Sequence, residues 1–243
     1  MLGSSITPLV LVITALALAL TPARAETVGF AAEDGLEITA EIGGPSSGPV
    51  LVLFHMARAS RGEYRDIAPR LHEMGYRTLS VDQRSGGSFN GVRNETAARV
   101  GGDPGFLAAI PDLEAAVTYA RGKMGAATLG VVGSSYSASL VLALAGRDPD
   151  FADAVISFSP GEYFPDRSFV RDATSGISTP VFLTAARSEI NQLESIANVI
   201  KSEIEVFRPE GAGRHGATAL LTADGPEYWT ALSAFLVTHL PPG

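Results

Sequence analysis

The chain of 243 residues holds one stretch whose residue types and spacing can make a nucleophile, Gly133-Ser134-Ser135-Tyr136-Ser137. It matches small-x-Ser-x-small, the pattern of a strand that reverses at once into a helix with the serine at the turn. The reversal crowds the positions two before and two after the serine, so only small residues fit there. That requirement chooses among three serines. Ser134 would be flanked by Val132 and Tyr136, both too bulky. Ser137 would be flanked by Ser135 and Ser139, which extends the strand through a polar Gly-Ser-Ser run. Ser135, between Gly133 and Ser137, fits best.

A serine hydroxyl is a weak nucleophile at neutral pH and needs a base to take its proton and an acid to orient that base. The chain has four histidines. His72 and His239 fall in helical stretches, and His55 ends a strand before the elbow, where it shapes the neighbouring loop. His215 sits in the glycine-rich segment Gly211-Ala212-Gly213-Arg214-His215-Gly216 after the last strand, from which an imidazole can swing over the carboxyl edge of a sheet. The acid is expected after the penultimate strand, between serine and histidine in the chain. Glu189 is the first carboxylate reached there, and Glu162, after the preceding strand, is the reserve candidate. A competing reading makes Glu189 a helix N-terminal residue favoured by the macrodipole. The chemistry such a set performs is acyl transfer.

The elements that must deliver these residues alternate. Ala127 to Val132 is a short apolar run with β-branched residues, as in an interior strand, and Tyr136 to Ala145 is a helix stopped by Gly146 and Pro149. Upstream, Thr27 to Gly43 reads as two strands joined at Asp34-Gly35, Pro49 to His55 as a buried strand, Gly62 to Met74 as a helix, and Tyr76 to Asp82 as a strand. Gln83 to Gly105 is a long polar loop; Asp103-Pro104 is expected to cap a helix whose stripe runs from Phe106 to Ala120. Downstream come strands at Phe151–Phe158, Pro180–Ala185 and Glu203–Arg208, with helices at Ile190–Lys201 and Glu227–Leu240. Strands alternating with helices predict an α/β fold, a doubly wound, mostly parallel sheet with helices on both faces. Only residues 159–179 separate two late strands, so no large lid fits and the site should be open and shallow.

Residues 1–25 carry an apolar run from Ile6 to Leu20 and then Ala23-Arg24-Ala25, a small-x-small cleavage signal. They read as a secretory signal peptide, with 26–243 as a single domain. The run is shorter than the roughly 20 residues of a membrane span. With no cysteine there are no disulfides, catalytic thiols or thiolate metal sites. A bacterial periplasm or exterior fits this best. Removing residues 1–25 takes Arg24 away and leaves 17 basic against 26 acidic side chains, a net charge of −9. Such a balance argues against nucleic acid and anionic membranes as partners. Neither H-E-x-x-H nor a phosphate-loop motif occurs, so no metal and no nucleotide cofactor is expected.

The order Ser135, Glu189, His215 in its strand–elbow–helix setting resembles the α/β-hydrolase superfamily, and within it the lidless dienelactone hydrolase-like branch, from Thr27 to the final helix. The resemblance implies an oxyanion hole made by the backbone amides of Ala57, after the His55-Met56 turn, and of Tyr136. Met56 stands where the family has glycine, Ser137 replaces the second elbow glycine, and Glu189 replaces the commoner Asp. It also implies cleavage of a small-molecule carboxylic ester through an acyl-enzyme on Ser135, without cofactors. Met56, Arg58, Arg84, Tyr136, Tyr163 and Phe164 lie on segments at the carboxyl edge and are candidates for substrate contact. A peptidase or acyltransferase would use the same triad, and an exported binding protein of this fold that no longer catalyses is the reading from another class.

Overall fold

The computed structural model describes residues 25–242, and the signal segment expected before Glu26 lies outside them but for Ala25. Among the described residues no helix is long and apolar enough to cross a membrane. The chain opens with the expected hairpin, β1 (Glu26–Ala31) and β2 (Glu37–Gly43), paired antiparallel through a turn in which Gly35 has φ 82°. The remaining strands of the main sheet are β3 (Val50–Phe54), β4 (Arg77–Asp82), β7 (Leu129–Ser134), β8 (Ala154–Phe158), β9 (Val181–Thr184) and β10 (Ile204–Phe207). A two-stranded ribbon, β5 (Ser88–Phe89) with β6 (Val92–Arg93), stands apart. The order across the main sheet is β1-β2-β4-β3-β7-β8-β9-β10, parallel from β4 to β10.

Strand periodicity divides the core into two layers. Val50, Val52 and Phe54 face one side and Leu51 and Leu53 the other, as successive side chains of a strand must. The first side is covered by α3 (Ile110–Gly122), α4 (Tyr136–Arg147) and α6 (Ile190–Ala197), and α5 (Phe169–Thr174) packs on α4. The second is covered by α1 (Ala68–Glu73) and α7 (Gly225–His239), with Trp229, Leu232, Phe235 and Leu236 inward. Strands buried on both faces explain why their sequences are continuous apolar runs. No domain interrupts β8 and β9, so the carboxyl edge has no lid.

Three expectations change. Gly62 to Met74 is not one helix: Arg61–Tyr64 forms a 3₁₀ turn and α1 begins only at Ala68. Pro69 has no amide to bond back into a preceding turn, so it sits in the first turn of a new helix instead. Asp103-Pro104 does not start a helix either; Asp103 accepts the Gly105 amide at 3.0 Å, Gly105 turns to φ 77°, and Pro111 opens α3. The polar stretch 83–105 is more ordered than expected. It holds the β5–β6 ribbon, turning at Asn90 (φ 48°) and Gly91 (φ 74°), and α2 (Glu95–Val100), whose cap Asn94 accepts the Ala97 amide at 2.7 Å.

Arg84 anchors this stretch to the sheet. Its backbone amide donates to Asp112 Oδ2 at 2.7 Å, its Nε to Oδ1 at 2.9 Å, and its terminal nitrogens to Asp112 and Asp34. The Asp112 side chain is fully buried. Asp112→Ala therefore leaves a guanidinium with only the half-exposed Asp34, and unfolding in urea is expected to show a loss of about 3 kcal/mol. An unshifted urea midpoint would mean the pair contributes nothing.

Candidate active site

The elbow is built as the steric argument requires. β7 ends at Ser134, α4 starts at Tyr136, and Ser135 between them has φ 62° and ψ −123°. A non-glycine residue in the left-handed region costs roughly 1–2 kcal/mol, which the surrounding sheet and helix impose. A Cβ on Gly133 would lie 2.5 Å from the Ser137 carbonyl oxygen and 2.6 Å from the Ala138 amide nitrogen. Nothing larger than glycine fits there. Ser137 is directed away from the turn, donating its hydroxyl to the His55 carbonyl at 2.6 Å.

Glu189 follows β9 at the end of the 3₁₀ turn Arg187–Glu189, and His215 lies beyond β10, the next strand across the sheet. His215 Nδ1 and Glu189 Oε1 are 2.6 Å apart. The other carboxylate oxygen accepts from Ser159 Oγ at 2.7 Å and from the Ala186 amide at 3.2 Å. Ser159 Oγ also accepts the Gly216 amide at 3.0 Å, which fastens the histidine loop to the end of β8. Burial alone would raise the Glu189 carboxyl, but the His215 and Ser159 hydrogen bonds hold it below the usual range. The hydrogen bond to Glu189 raises His215 against the opposing effect of burial. Ser135 Oγ makes no hydrogen bond to His215 here; such contacts are commonly long in apo sites and tighten with substrate. Glu162, the reserve acid, is engaged elsewhere, accepting the Val170 and Arg171 amides at 2.9 and 3.0 Å at the start of α5.

The Ala57 and Tyr136 amides face no protein acceptor among the described residues' loop and cap hydrogen bonds. His55, as expected, is structural: it is fully buried, its Nδ1 donates to the Met56 carbonyl at 2.8 Å, and its Nε2 accepts from the Gln83 amide and Asn94. Burial pushes its pKa down and keeps it neutral. Exposed Arg58, at φ 62°, borders a cavity of about 270 Å³ together with Ala57, Ser85 and Phe106. The Tyr163 hydroxyl donates to the Ser159 carbonyl at 2.9 Å; burial pushes its pKa up to about 12, and the neighbouring Ser135 hydroxyl acts in the opposite sense. Three expected contacts are not free side chains in the cleft: Arg84 lines the cavity beside Arg58 but is engaged by Asp112 and Asp34, the Tyr136 side chain is fully buried against Phe106 with its hydroxyl accepting from Gln83 Nε2 at 3.1 Å, and Phe164 turns into the core against Phe169.

Two polar residues at the site, Ser159 and Glu63, escaped the sequence reading, as did the contacts that Ser134 makes with Glu63 and the Ala217 amide. Ser159 has φ 57° at the end of β8, a strain that becomes visible only in the fold.

No protein-family model matches the chain, and no curated protein matches it. Solved structures do. The Pyrococcus furiosus esterase Pf2001 superposes with a TM-score of 0.68 over 89% of this chain and 93% of its own, at 19% identity. A dienelactone hydrolase from Anabaena variabilis gives a TM-score of 0.69, covering 89% of this chain and 98% of that one at 15% identity. The chain has the α/β-hydrolase fold. A third structure with this fold, Est1E of Butyrivibrio proteoclasticus with ferulic acid bound, matches at TM-score 0.64 and 15% identity, over 85% of this chain and 96% of that one. In an α/β-hydrolase fold the nucleophile stands on the strand-to-helix turn, and the acid and histidine follow it in chain order. Ser135 lies on that turn here, and Glu189 and His215 follow it in the chain, after β9 and β10.

Proposed function

We propose that this protein is an exported serine hydrolase that cleaves small carboxylic esters through an acyl-enzyme on Ser135. The observation that carries the reading is the Glu189–His215 hydrogen bond, made on a loop fastened beside a serine held at positive φ. The apolar leader in residues 1–25 supports action outside the cytoplasm, in a bacterial periplasm or beyond.

In the reaction His215 Nε2 takes the Ser135 proton as Oγ adds to the ester carbonyl. Glu189 holds the ring by Nδ1 and stabilises the imidazolium that forms. The Ala57 and Tyr136 amides receive the oxyanion, each such donor being worth about 10²- to 10³-fold in rate. Collapse expels the alkoxide, which takes the proton from His215. Water then adds to the acyl-enzyme with His215 as base, and Ser135 leaves with its proton restored. On this reading Arg58, Met56 and Tyr163 contact the substrate. A fluorophosphonate probe is expected to label the purified protein once per chain, at Ser135 on peptide mapping, and short-chain nitrophenyl esters to protect against it. Labelling at Ser137, or none, would remove the proposal's basis.

A further inference from the structure

One carboxylate beside the site has no part in the steps above. Glu63 is fully buried on the Arg61–Tyr64 turn, and its two oxygens serve different loops. Oε2 accepts the Met56 amide at 2.6 Å, and Oε1 accepts the Ser134 hydroxyl at 2.6 Å. Ser134 Oγ in turn accepts the Ala217 amide at 2.9 Å. A Cβ on Gly216 would meet Ser134 Oγ at 2.5 Å and Glu63 Oε1 at 3.6 Å, so the histidine loop lies directly over this pair. The connections therefore end one residue before Ala57, one before Ser135 and two after His215. Among the described residues no Lys or Arg pairs with Glu63. An uncompensated buried carboxyl is unfavourable, and an apolar or amide side chain would fill the same space at less cost.

On the reading that Ser135 and His215 carry the chemistry, we propose that Glu63 is a positioning residue that keeps the Ala57 amide, the Ser135 turn and the His215 loop in register. Its charge also reaches the base. Glu63 and His215 each favour the ionised form of the other. The other titratable groups around Glu63 are Tyr64 on its own turn and Tyr136 at the head of α4; His215 additionally faces Glu189. Burial pushes Glu63 up to about 7 while the Ser134 and Met56 hydrogen bonds oppose it. Its negative charge is present above about pH 7, where His215 serves as the neutral base, and is lost as the pH falls below that value.

Two variants test this on the intact protein. Glu63→Gln keeps the shape and removes the charge; Ser134→Ala keeps the charge and cuts the link to Ala217. With p-nitrophenyl acetate, and with active sites counted by fluorophosphonate titration, each is expected to lower kcat by about 10²-fold at nearly constant KM, the effect of a small misplacement of reacting groups. In Glu63→Gln the acid limb of kcat/KM should also move to lower pH, because His215 loses a neighbouring negative charge; Glu63→Asp should bring the limb back towards its original position. A residue that only packs would change the melting temperature and leave kcat per titrated site and the limb where they were, which overturns the proposal. If Glu63→Gln does not fold, Ser134→Ala decides alone, and an unchanged kcat per site overturns it. Hydrolysis surviving in Ser135→Ala would instead sink the underlying reading.

Discussion

Ester hydrolysis by Ser135→Ala is expected to fall by about 10⁴-fold or more, with fluorophosphonate labelling lost altogether. The covalent route needs the hydroxyl at 135, and the two neighbouring serine hydroxyls are already engaged. Ser134 Oγ is engaged by Glu63 and the Ala217 amide, and Ser137 Oγ by the His55 carbonyl. The residual rate would come from the Ala57 and Tyr136 amides acting on water alone. Initial rates on a nitrophenyl ester decide the matter, with circular dichroism showing that the fold survives. A variant that keeps its rate while Ser137→Ala loses it would transfer the nucleophile to Ser137.

The second large effect is expected at Glu189. Glu189→Gln should lower kcat by about 10³- to 10⁴-fold, because an amide in that place can offer an N–H to His215 Nδ1 and stabilise the wrong tautomer. The same variant should change the pH profile. His215 must be unprotonated to act as base, and Glu189 raises its pKa above the ordinary 6.5. In the wild type kcat/KM should therefore fall as pH drops through that raised value. Without the carboxylate the value returns downward and the acid limb shifts to lower pH. Glu162→Gln serves as the control: it removes a charged acceptor for two α5 amides and should lower stability while leaving kcat per active site intact. The opposite pattern, a silent Glu189→Gln and an inactive Glu162→Gln, would reassign the acid.

The sheet could be read from the chain because its central strands are buried on both faces, so Val50–Phe54, Leu129–Ser134 and Val181–Thr184 stand out as apolar runs. The elbow was legible through sterics at Gly133, and the loops of Glu189 and His215 through their place after the last two strands. Glu63 was not. Its partner Ser134, which links it to the Ala217 amide, lies 71 residues along the chain, and no local periodicity marks such a contact. Reading one helix through Pro69 further hid it among ordinary helical positions. Its position after β4 points Arg84 to the cleft; only the fold reveals that Asp112, on α3, and Asp34, in the first hairpin, meet there and claim it.

The passage from β8 to β9, which carries α5 but no further domain, bears on what would become of an acylated Ser135. A closing element would expel bulk solvent and let a bound alcohol or amine compete for the acyl group. Here the His215 side chain is 40% exposed, so the imidazole proposed as the base is already in contact with the medium. On the proposed route, partitioning of the intermediate would favour water by sheer abundance, the released product would be the free acid, and transfer to another acceptor would require that acceptor to be crowded onto an open rim.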